Sequence, residues 1–118
     1  MYQRYKRELN ENVTIANDII STKKPSSYKF RTLIRDNSWG TDYYIVDLNL
    51  IKKLEHFYFE VDRIIQLLSN INFWEQGNLT NINDYSEEFQ LEVNTAAKRI
   101  RIHGEDCLSI INSLINKS

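Results

Sequence analysis

Residues 47–71 read DLNLIKKLEHFYFEVDRIIQLLSNI, and this stretch decides the fold. Ile51, Leu54, Tyr58, Val61, Ile65 and Leu68 recur at spacings of three and four, while Leu50, Phe57, Ile64 and Ile71 repeat every seven. At about 100° per residue both series fall in one apolar sector, with Lys52, His56 and Arg63 on the opposite side. So wide a sector suits a helix with two neighbours. The spacing therefore predicts a hub helix over 47–72, with Asp47 as its N-cap.

Upstream, Tyr2, Tyr5, Leu9, Val13, Ala16 and Ile20 keep a narrower helical line, which predicts a helix over 2–21. Lys23-Lys24-Pro25 ends it, because proline disfavours helical conformation in the residue before it and cations suit the negative end of the macrodipole. Downstream, Asp84 with Glu87 has the form of a capping box. Phe89, Val93, Ala97, Ile100, Gly104, Cys107, Ile111 and Leu114 then follow at helical spacing, so a third helix is expected over 84–116. Gly104 inside it costs about 1 kcal/mol relative to alanine. With Ala97 it forms a shallow strip suited to a close helix crossing or to a ring such as that of Trp74. Phe73–Asn83 reads as a connection.

Between the first two helices the pattern changes. Tyr28, Phe30, Thr32 and Ile34 alternate with Lys29, Arg31, Leu33 and Arg35; turn-forming residues follow over 36–40, then the aromatic and β-branched run Tyr43–Val46. Alternation of this kind points to an irregular or short β-hairpin insertion. A short helix over 28–35, capped by Ser27, fits nearly as well. The expected fold is mainly α: three long helices in a small bundle, with that insertion between helices one and two.

With 118 residues, 42% hydrophobic content and a net charge of −1, the chain reads as one helical domain over 1–118 that buries its own core. A single cysteine, Cys107, allows no disulfide within the chain, the N-terminus lacks the apolar core of a secretory signal, and no apolar run reaches the ~20 residues of a membrane span. A cytoplasmic location and no membrane role are expected. Charge is unevenly placed: residues 1–35 hold eight Lys or Arg against three acids, and 36–118 hold seven against thirteen.

Catalysis needs converging groups, and few are offered. His103 and Cys107 have the spacing of half a metal site, but no second cysteine exists and His56 falls on the solvated side of its helix, so a buried thiol beside a core histidine is expected. The acid pairs Glu87-Glu88 and Glu105-Asp106 are adjacent and point about 100° apart on a helix. No glycine-rich phosphate loop exists among three glycines. No catalytic residue, cofactor or metal ligand is assigned, and the expectation is a protein without enzymatic activity.

Two binding readings remain. Lys23, Lys24, Lys29, Arg31 and Arg35, interleaved with Tyr28 and Phe30, have the composition of a small nucleic-acid-binding regulator. The reading preferred is docking on another protein, because apolar residues stand on the wrong side of regular helices. Phe59 and Leu67 flank the solvated side of the 47–72 helix, and Leu91 and Ile102 lie on the back of the 84–116 helix. Phe59, Trp74, Leu91 and Ile102 are the expected apolar contacts, with Glu88 and Glu92 as charged ones. The class this suggests is a small inhibitor of the immunity-protein, antitoxin or phage anti-defence type, whose partner is a toxin, a host or defence protein, or a second copy of itself.

Overall fold

The computed structural model describes residues 2–22, 30–38, 47–75 and 87–116, with the backbone alone at 22, 37, 38 and 70–75. They form α1 (Tyr2–Thr22), α2 (Leu33–Ser38), α3 (Leu48–Glu75) and α4 (Glu87–Asn116). The result is a mainly helical bundle. No helix among the described residues is long and apolar enough to cross a membrane.

The helical spacing of 47–71 is realised as read. Leu50, Leu54, Phe57, Tyr58, Val61, Ile64 and Leu68 are buried, and Ile51, Ile65 and Leu67 pack partly against them. Asp47 is the N-cap: its Oδ1 accepts the Leu50 amide at 2.9 Å while its carbonyl receives the Ile51 amide. That side chain satisfies one of the amides a helix start leaves without a partner. α3 runs on to Glu75, so residues 73–75, read as connection, are helical, and Trp74 lies in the last turn. The side chains of Trp74 and Ile71 lie outside the described residues, as do Asp84 and the Lys23-Lys24-Pro25 stop.

The hub is α4, not the 47–72 helix. α4 packs closely on both α1 and α3, whereas the α1 and α3 backbones rarely approach one another. Gly104 shows why: a Cβ there would collide with Val13 Cγ2 of α1 and sit 3.0 Å from Phe57 Cε1 of α3. Without a side chain at that position, α4 fits between its neighbours. The wide apolar sector of α3 serves two purposes. One flank packs on α4, and the other carries Tyr58 across to α1, edge-on to Tyr5 at 6.5 Å.

The insertion contains no β-strand among the described residues, which corrects the hairpin expectation. Residues 30–32 precede α2 without regular secondary structure, and the helix begins at Leu33, five residues later than the capped 28–35 alternative. Thr32 starts it. Its carbonyl accepts the Asp36 amide at 2.8 Å, and its hydroxyl donates to Asp36 Oδ2 at 2.9 Å. A two-stranded hairpin is marginal without a surface to lie on. Here the surface belongs to α1, and it is polar. The second half of the expected hairpin, Tyr43–Val46, lies outside the described residues.

Candidate functional site

Three features of the surface and its supports bear on function: the joint that holds α2, the seam between α3 and α4, and the outward faces of the two long helices.

The joint is built from polar residues of α1 that the sequence presents as ordinary helix-surface positions. Glu8 is only 2% exposed and Asn12 is fully buried. Asn12 engages the main chain of Arg31 twice: its Nδ2 donates to the Arg31 carbonyl and its Oδ1 accepts the Arg31 amide, each at 2.8 Å. Glu8 Oε2 accepts the Ile34 amide at 2.8 Å, and Glu8 Oε1 accepts the Tyr58 hydroxyl at 2.5 Å. Burial, then the bond to Glu8 and that residue's charge, hold the Tyr58 phenol protonated, with its pKa far above the ordinary value. Arg35 closes the joint from α2. Its Nη1 meets Asp62 Oδ2 at 2.7 Å, its Nη2 meets Asp36 Oδ1 at 2.9 Å, and the guanidinium stands 5.2 Å from the Tyr58 ring centre. Burial opposes the Arg35 charge, but the bonds to Asp62 and Asp36 outweigh it and raise its pKa. Asp36 titrates low, chiefly because the Thr32 hydroxyl donates to it and secondarily because Arg35 is beside it.

The seam pairs α3 with an antiparallel α4 through three polar rungs. Lys53 faces Asp106 at 3.8 Å, the His56 and His103 rings stack at 5.8 Å, and Glu60 faces Arg99 at 3.4 Å. His56, expected on the solvated side away from His103, is therefore its neighbour. It is exposed and stacked at once. Glu60 is 5% exposed with its Oε2 unpartnered, and His103 Nδ1 is likewise buried without a hydrogen bond among the described residues. Cys107, one turn beyond His103, is buried. Its thiol is pushed up to about 12, first by burial and then by the Asp106 charge, so it stays protonated rather than nucleophilic. No group of three His, Cys, Asp or Glu side chains among the described residues is placed to hold a metal ion.

The outward faces carry the expected docking residues. Phe59 is 66% exposed on α3, Leu91 is 67% and Ile102 51% exposed on α4. Leu91 and Ile102 are eleven residues apart, which returns a helix to nearly the same face after three turns. Glu88 and Glu92, on either side of Leu91 in sequence, are exposed and form no ion pair among the described residues. Phe59 forms one wall of an open cleft of about 560 Å³ between α2 and α3, with Arg35, Asp36, Glu55 and Asp62 around it. The structure does not bring Phe59 and Leu91 into contact. Sequence reasoning missed Leu33 and Leu48, both largely exposed. Leu48 stands eleven residues before Phe59, and that interval was the signal that would have found it.

The residues of the nucleic-acid reading are differently placed. Arg31 is paired with Glu11 at 2.9 Å and Arg35 with two aspartates, while Phe30 packs partly against the core. Lys23, Lys24, Tyr28 and Lys29 lie outside the described residues. No family model, curated protein or solved structure matches this chain.

Proposed function

We propose that this chain is a non-enzymatic protein-binding module that inhibits another protein by covering part of its surface, in the manner of an immunity protein, an antitoxin or a phage anti-defence protein acting in the cytoplasm. One observation carries the reading: Phe59, Leu91 and Ile102 stay more than half exposed on helices whose apolar stripes face the core. Large exposed apolar side chains with polar rims are the usual anchors of protein interfaces. The surroundings of Phe59 and Leu91 are acidic. Glu55, Asp36 and Asp62 surround Phe59, with Arg35 the one cation lining that cleft among the described residues, and Glu88 and Glu92 flank Leu91. The matching partner presents apolar pockets bordered by lysine or arginine, which would speed encounter and fix orientation.

A tagged copy expressed in its source cell tests this. After nuclease treatment it should retrieve one stoichiometric polypeptide. Phe59→Ala, and separately Glu88→Lys with Glu92→Lys, should weaken that retrieval while leaving thermal unfolding within a few degrees of the parent. Recovery of nucleic acid with no polypeptide, with an affinity that falls steeply with salt, would overturn the proposal.

A further inference from the structure

We infer that residues 30–38 are a latch, a unit that opens from α1 and α3 while the three long helices stay folded. The evidence lies in how the segment is held. Elsewhere the bundle is joined by buried apolar side chains, whereas this segment is joined to α1 by three hydrogen bonds with Asn12 and Glu8 and by the exposed ion pair of Arg31 with Glu11, and to α3 by the ion pair of Arg35 with Asp62. Its apolar contribution is small: Phe30 and Ile34 are half-buried and Leu33 faces outward. Opening therefore exposes little apolar surface, and water can replace each bond that breaks.

The three hydrogen bonds are made to the main chain of 31 and 34, so they read backbone geometry, with the Arg31–Glu11 pair and the packing of Ile34 added to them. Release would uncover Glu8, Asn12 and the Tyr58 hydroxyl together, and would withdraw Arg35 from Asp62 and from the Tyr58 ring in the Phe59 cleft. Release takes Arg35 and Asp36 out of the cleft together, so the net formal charge of the described lining stays the same while Asp62 loses its ion-pair partner. This device does not depend on what the protein binds.

The bonded amides are their own reporters. The Arg31 and Ile34 N–H groups exchange with solvent only when the bonds to Asn12 and Glu8 break, and the Asp36 N–H reports on α2 itself. In native-state hydrogen exchange on the full chain, these three amides should exchange together, about 100-fold or more faster than the Val61 and Ile100 amides, and with little dependence on denaturant. Arg35→Gln, which weakens the closed state from which every opening starts, should accelerate all three at least about tenfold, whereas Ile100→Val, which weakens the core in the latched and unlatched states alike, should accelerate the Val61 amide and leave the three latch amides unchanged. Exchange of Arg31 and Ile34 at the rate of Ile100, accelerating in step with it as denaturant rises, would show that the segment opens only with the whole molecule and would overturn the latch. So would an Ile100→Val variant that accelerates the three latch amides as much as Val61.

Discussion

Two buried glutamates divide the molecule into two kinds of joint. Glu8, between α1, α2 and α3, has both oxygens engaged, by the Tyr58 hydroxyl and the Ile34 amide. Glu60, between α3 and α4, has one oxygen in a long 3.4 Å contact with half-exposed Arg99 and the other unpartnered. Burial is nearly the same, and the consequence is opposite. A satisfied buried polar group fixes where its partners sit, and removing it strands them; a half-satisfied one is a burden that its apolar neighbours carry. The α1–α2 joint is thus specified by hydrogen bonds, whereas the α3–α4 seam is held by packing around Phe57, Val61, Ile100 and Cys107.

Several substitutions test that contrast, beginning with the largest effect. Glu8→Ala leaves the buried Tyr58 hydroxyl and the Ile34 amide without acceptors, and the loss should be about 3 kcal/mol, read as a shift in urea midpoint at constant slope. A loss under about 1 kcal/mol would mean the joint is no better specified than the seam. Alkaline titration separates the two regions next. Cys107 has its folded pKa pushed up to about 12, so its share of the stability is intact below the ordinary thiol value and is lost as pH rises from about 9 toward 12, at up to about 1.4 kcal/mol per pH unit. Tyr58 is also raised, and its contribution declines in the same direction but only above about pH 10, where an unfolded phenol ionises. Cys107→Ala should abolish the first decline and Tyr58→Phe the second, in thermal melts between pH 8 and 11. Glu60→Leu comes next: removing a half-satisfied buried charge should alter stability by less than about 1 kcal/mol or increase it. A loss of about 2 kcal/mol or more would show that Glu60 is as well served as Glu8. Lys53→Ala, at a half-exposed pair 3.8 Å apart, should change stability by no more than about 0.5 kcal/mol.

The long helices were legible in the sequence because each writes its buried face as a repeated spacing, and because Asp47 sits where a cap is needed. α2 was not legible. Its position depends on Glu8 and Asn12, whose burial no local rule announces: on a helix such as α1 they read as surface residues flanking the line Tyr5, Leu9, Val13. The alternation over 28–35 was real as a pattern, but tertiary hydrogen bonds to the main chain of 31 and 34 overrode it. The role of hub was misread for a related reason. A wide apolar sector signals how much a helix buries, while Gly104 signals how closely it is approached, and closeness decided the centre. Among the candidate docking residues, Phe59, Leu91 and Ile102 were visible as apolar residues off the stripe. Leu33 was not, since without α2 it had no face to be on.

The three rungs between α3 and α4 step three and then four residues forward on one helix and three and then four back on the other: 53, 56, 60 against 106, 103, 99. Two long amphipathic helices can slide past each other by a turn and still find oil against oil, so apolar spacing alone leaves the alignment ambiguous. Slide α4 one turn in one direction and Lys53 meets Ile110, His56 meets Cys107 and Glu60 meets His103; slide it the other way and Lys53 meets Ile102, His56 meets Arg99 and Glu60 meets Thr95. Either slip dissolves both ion pairs and the ring stack at once. The rungs work as a vernier scale: each mark is weak by itself, and only one setting lines up all three.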